Sequence, residues 1–304
     1  MIRARTSLAG LLAVVAGALV AVSAGAALAA SPLSGLPPRA YVVGTYDGRS
    51  VSLYVNGVLV AHAAAPGPLD SNNQPFEIGA YAGGAIWSGT IGEVAVYDRA
   101  LPASEIVAHY RLGIDLHPPR PGAYSKSVSR TPGLVSYWRL DDAGTRAVDA
   151  HGSNNGIYGL GVARGAPGLI SGDPDQAAEF NGKEGAIVVR PSASLALRHA
   201  FTLEAWVTTQ TIGNHLILGR VNAYFLKTDN LGRWGVGVFV HHSLYAAYSQ
   251  FAAHAPTPAA GHPKAKGASD SSGFDPLWLV VIAVVIGAAV VARRWILKTG
   301  AAAG

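Results

Sequence analysis

Glu204 stands in the run Thr202–Val207, TLEAWV, and is the only carboxylate in it. A strand that hydrolyses glycosidic bonds needs at least two carboxylates at alternate positions. Side chains two apart share a face, where one acid can attack or direct water while the other protonates the leaving group. A lone glutamate cannot do both. The chain has no G-x-S-x-G, H-E-x-x-H or P-loop pattern. Gly159-Leu160-Gly161 lacks the spacing of a dinucleotide loop and reads as plain loop. His241-His242 is a tempting metal pair, but neighbours on a strand point to opposite faces, so one site could not easily use both.

Two other sets of residues could bind rather than react. Asp141, Asp142 and Asp149 lie in a polar loop over Asp141–Asn155, and a hard cation such as calcium takes its ligands from carboxylates and carbonyls of this kind. Tyr81, Trp87 and Tyr158 lie in turn-rich stretches, where an exposed ring could pack on the apolar face of a sugar. Trp138, Trp206 and Trp234 fall within strand-like runs and read as core.

Short strands and tight turns must position these groups. In the front half, Tyr41–Tyr46 leads to Asp47-Gly48, and Val51–Val55 alternates its apolar residues. Asn56-Gly57 then gives a type I′ hairpin signal before Val58–Ala61. Phe76–Gly79 and Ile91–Tyr97 are further strands. Pro102 opens a short helix to Tyr110, and Gly113 ends it. In the rear half, Leu134–Arg139, Phe201–Thr208, His215–Gly219, Ala223–Lys227 and Trp234–Val240 read as strands. Ala177–Phe180 and Ala186–Val189 flank Asn181-Gly182, a second hairpin signal. Many short strands with no long helical period predict an all-β sandwich.

Both halves carry longer patterns. The front has YVVGTYDGRSVSLYVNGVLVAH, FEIGAY and GTIGEVAVYDRALPASEIVAHYRLG. The rear has LVSYWRLDDAG, AAEFNGKEGAIVVRPSASLAL and FTLEAWV. These segments resemble the laminin G-like domains, of bacterial type, in the concanavalin A-like lectin/glucanase superfamily. In that family the rear pattern comes first. Residues 40–113 therefore resemble the second half of such a domain and residues 134–250 the first half, with residues 114–133 as linker. The halves could close into one circularly permuted sandwich. They could be half-domains left by a deletion in a tandem array, or each could pair with a half from another chain. Domain termini often lie close together, which makes permutation tolerable.

The resemblance implies an antiparallel jelly-roll without catalytic activity that recognises a glycan or a surface protein. It implies calcium as a cofactor, with Asp141, Asp142 and Asp149 as candidate ligands, although Gly92 stands where relatives usually carry an aspartate. It also makes Glu204 a strand-core residue. A truncated remnant without a ligand of its own, and an accessory module of a carbohydrate-active enzyme, are the alternatives.

Residues 1–29 have the form of a signal peptide: Arg3 and Arg5, an apolar run over Leu8–Val22, and Ala27-Leu28-Ala29 as cleavage pattern. Residues 251–275, rich in Ala, Pro, Gly and Ser, read as a stalk. Residues 276–297 read as a C-terminal transmembrane helix, followed by a cytoplasmic tail over 298–304. Arg293, Arg294 and Lys298 would stay inside, which places the bulk of the chain outside the cell. The chain has 23 basic and 18 acidic residues, and five of the basic ones lie in these targeting segments, which hold no acid. The exported part is thus close to neutral, which excludes an electrostatic case for nucleic-acid binding. Cysteine is absent, so stability must come from an apolar core large enough for a whole sandwich.

Overall fold

A computed structural model describes residues 39–81, 83–115 and 121–253. The front half supplies β1 (Ala40–Tyr46), β2 (Ser50–Val55), β3 (Val58–Ala64), β4 (Phe76–Ile78) and β5 (Ser88–Tyr97), then helix α1 (Ala103–Ile114). Helix α2 (Ala123–Arg130) follows. The rear half supplies β6 (Leu134–Trp138), β7 (Arg146–Ala147), β8 (Gly156–Tyr158), β9 (Val162–Pro167), β10 (Gln176–Asn181) and β11 (Ile187–Val189). It continues with β12 (Phe201–Val207), β13 (Leu216–Arg220), β14 (Tyr224–Thr228), β15 (Arg233–Val240) and β16 (Ser243–Ala252). The chain is an all-β antiparallel sandwich of two sheets, consistent with a jelly-roll.

The first sheet runs β3-β2-β1-β12-β5-β10-β9, with β6 also on β5; the second runs β16-β15-β14-β13-β4-β11-β8-β7. Front and rear strands interleave in both. β1 pairs antiparallel with β12 from Ala40↔Val207 to Tyr46↔Phe201. β5 pairs with β12 on one side and with β6 and β10 on the other. β4 sits between β13 and β11 in the second sheet.

Side chains alternate across the first sheet and fill two cores. Val42, Leu53, Val94, Val96, Leu203 and Ala205 point between the sheets, where they meet Leu226, Val236 and Val238. Tyr41, Val43, Ala95, Tyr97 and Trp206 point the other way, against Ile106 of α1 and Tyr124 and Val128 of α2. This third layer explains why every residue of β1 and β12 is buried.

Several details differ from the sequence expectations. Residues 114–133 are not merely a linker, because α2 lies within them and closes the outer core. Gly113 does not end α1. It lies inside the helix, where a Cβ would overlap the Trp206 ring. Asn181-Gly182 does turn the chain, with Asn181 Oδ1 accepting from the amides of Lys183 and Glu184 at 2.9 and 3.1 Å. The strands on either side enter different sheets, so the turn is an arch and not a hairpin. His241 and His242 form the β15–β16 turn, both at positive φ, and are not strand residues. The strand β16 beyond them was not anticipated. The expected signal peptide and transmembrane helix lie outside the described residues. Among the described residues no helix is long and apolar enough to cross a membrane.

Candidate functional site

The polar groups of the outer core converge on Glu204. β12 carries it to the face under α1 and α2, where it is fully buried. Tyr97 of β5 donates its hydroxyl to Oε2 at 3.2 Å, and Tyr124 of α2 donates to Oε1. His109 of α1 places Nδ1 3.1 Å from Oε2 and Nε2 3.1 Å from Thr131 Oγ1. Burial, then the Glu204 charge, holds the Tyr97 and Tyr124 hydroxyls well above their usual range. Desolvation pulls His109 down most strongly as a single effect. The Glu204 charge and hydrogen bond, with the Glu105 charge, outweigh it, and the net shift is upward. The environment of Glu204 is that of a strand-core residue that ties helices to a sheet.

A second buried carboxylate lies at a β-bulge. Between the pairs Ala95↔Glu204 and Gly92↔Trp206, β5 carries one more residue than β12, and Glu93 takes a φ of 55° there. Tyr137 donates to its Oε2, while Oε1 has no partner. Burial pushes Glu93 up to about 8, against the opposing effects of the Tyr137 bond and the Arg139 charge. Arg139 pairs with Asp175 and lies 3.3 Å from Asp141.

The aromatic residues expected on loops are placed otherwise. Trp87 lies in the core between the sheets, stacked 6.3 Å from Trp234, with Nε1 donating to the Thr208 carbonyl at 3.0 Å. It offers no ring face to a ligand, because the turns around it fold its side chain inward. Tyr158 is 7% exposed, and its hydroxyl donates to Asp142 Oδ2 at 2.8 Å. Tyr81 stays half-exposed and meets Asn222. The structure does not bring the three rings into one platform. Trp138, Trp206 and Trp234 are core residues, as their strand positions suggest.

The loop acids are each engaged by protein donors. Asp149 accepts the amides of Tyr137, His151 and Gly152 on Oδ1 and that of Asn154 on Oδ2, at 2.8–3.1 Å. Asp142 accepts the Val148 amide on its other oxygen at 3.2 Å. Asp141 leans on Arg139. Among the described residues no group of three or more His, Asp or Glu side chains is placed to share a metal ion.

Sequence reasoning missed one surface. The face of the second sheet turned away from the core carries Lys227 of β14, Arg233 of β15 and Tyr248 of β16, which cover the buried Phe225 of β14. Lys227 Nζ lies 5.1 Å from the Phe225 ring centre and 6.0 Å from that of Tyr248. The Arg233 guanidinium lies 5.6 Å over Tyr248. The rings reach across Gly235 and Gly237, whose Cβ atoms would overlap Tyr248 and Phe225. Desolvation lowers the Lys227 ammonium pKa. The signal was Gly235-Val236-Gly237: with Val236 pointing inward, both glycines open the outer face.

Residues 30–107 match the concanavalin A-like lectin/glucanases superfamily. The match spans β1 to β5 and enters α1, so the laminin G-like resemblance of the front half is borne out. Among curated proteins and among solved structures nothing matches. Within the matched segment, Gly92 stands on β5 where a Cβ would lie 3.2 Å from Ala177 Cβ. An aspartate there would crowd β10. The local packing thus accounts for a glycine at this position.

Proposed function

We propose that this sandwich is a non-catalytic binding module that recognises a glycan or a surface protein. The superfamily match of residues 30–107 carries the reading. Supporting it, Glu204, the lone carboxylate of β12, is enclosed by tyrosines and His109, where it serves packing and not hydrolysis. The ligand surface in this reading is the glycine-backed face of Lys227, Arg233 and Tyr248, with Phe225 buried under Lys227. The half-exposed Tyr248 ring suits the apolar face of a sugar, and the cations suit hydroxyl or carboxylate oxygens. A glycan array probed with the full-length chain should give defined hits that Tyr248→Ala weakens at least tenfold. Hits indifferent to Tyr248→Ala would remove this surface. An array without hits, with a surface protein captured instead through the same face, would select the protein ligand.

The module is proposed to stand outside the cell, between the cleaved leader of residues 1–29 and the membrane helix of residues 276–297. Protease added to intact cells should remove residues 30–275 and leave a small tail fragment. Protection of the whole chain would contradict the topology. Calcium enters the proposal only as a weak ligand of the loop of Asp141, Asp142 and Asp149.

A further inference from the structure

We infer that His109 and Glu204 share one proton that clasps the helix layer onto the first sheet, and that the layer loosens when this proton is lost. Thr131 Oγ1 donates its single hydrogen to the Ser127 carbonyl at 2.9 Å. With its hydrogen so placed, that oxygen accepts toward His109, and Nε2 is the donor of this bond. On the other side of the ring, Nδ1 lies 3.1 Å from Glu204 Oε2. The same oxygen already accepts from Tyr97, and the other accepts from Tyr124. With Nε2 donating to Thr131, the contact between Nδ1 and Oε2 holds a second hydrogen, shared by the ring and the carboxyl. In either place the pair holds one proton more than a neutral imidazole beside a carboxylate.

Burial makes that proton matter. His109 is 2% exposed and Glu204 0%. With the proton the pair is neutral overall. Without it, a net negative charge stays buried, and the one hydrogen left on the ring serves either Glu204 or Thr131 but not both. Charged and titratable neighbours face the pair from every side, among them Tyr137 of β6, which feels the Glu204 charge, and Glu93 of β5, which acts on Tyr124. Glu204 comes from β12, Tyr97 from β5, Tyr41 from β1 and Tyr124 from α2. Arg99 opposes the proton from the loop before α1, and Glu105 of α1 favours it. Arg99 is itself held by Glu105 at 2.5 Å.

Three elements meet at this one proton: α1 through His109, the end of α2 through Thr131, and the sheet through Glu204. Release of the proton to solvent therefore acts on the helices before the sandwich. Local opening of so small a layer, with the two sheets left intact, is how proteins commonly yield first.

The test is a histidine-resolved NMR titration of the full-length chain, with the His109 signal assigned by its loss in His109→Gln. The His109 midpoint should lie above 6.5, the ordinary value. As pH passes that midpoint, protection of the α1 amides against exchange should fall at least tenfold while that of the β15 amides stays constant. Glu204→Gln should move the midpoint below 6.5. Thr131→Val, a milder change, should lower it and keep the fold. A His109 midpoint at or below 6.5 in the wild type would overturn the proposal. So would α1 protection that ignores the midpoint, or a midpoint that Thr131→Val leaves in place.

Discussion

Gly44 on β1 faces Val236 on β15 so closely that a Cβ at Gly44 would lie 2.5 Å from Val236 Cγ2. The contact joins the front half of the chain to the rear half across the interior. It predicts that Gly44→Ala overpacks the core, at a cost of about 1–3 kcal/mol. Val236→Ala in the same molecule should recover part of that loss, because it removes the clashing methyls. Thermal melts of the two single variants and the double variant measure it. Strictly additive losses would show that the halves do not meet there.

Gly113 offers a test in which the sign decides. In a helix interior, alanine is ordinarily favoured over glycine by about 1 kcal/mol. Here a Cβ would overlap the Trp206 ring. Gly113→Ala should therefore lower the melting temperature. A rise would mean that α1 does not lie against β12 as described.

Stability should fall as pH rises. Glu93 and His109 both have folded-state pKa values raised above their unfolded ones. The folded chain then holds more protons than the unfolded chain between the two values. The stabilisation is complete below the unfolded pKa and is lost as pH climbs through the folded one. For Glu93 that window runs from 4.5 to about 8. The melting temperature at pH 6 should exceed that at pH 8.5, and Glu93→Gln should flatten the profile. A melting temperature that rises over this interval would contradict the burial of Glu93.

Millimolar calcium should raise the melting temperature little, because Asp149 already accepts four backbone amides. A ligand that binds only the folded state stabilises it as it saturates. A large rise that Asp142→Asn abolishes would reveal a site stronger than the loop suggests.

The sequence and the fold correspond unevenly, for physical reasons. Asn56-Gly57 was legible because positive φ at both positions, 52° and 78°, is a local requirement. Asn181-Gly182 carries the same local chemistry, yet its flanking strands part into two sheets, and no local signal encodes that. Helix α2 was hidden because Ala-Tyr-Ser-Lys-Ser-Val-Ser-Arg has three serines and little intrinsic helical preference. Its Tyr124 and Val128, one turn apart, are buried by the sheet beneath, and that tertiary packing sustains the helix. Trp87 read as a loop aromatic because the residues around it are turn formers. Its ring turns inward because only the core can hold it dry. Glu204 and His109 were each visible, but 95 positions separate them, and only the strand and helix packing brings them together.

The central claim is that front and rear halves close one sandwich within one chain, and the pair Ala40↔Val207 tests it most directly. Opposed residues on antiparallel strands have the separation that a disulfide spans. The chain contains no cysteine to confuse the result. Ala40→Cys with Val207→Cys, oxidised and run on a non-reducing gel, should give a faster-migrating monomer that reverts on reduction. A cross-linked dimer without that monomer, or no cross-link in a folded chain, would contradict the account.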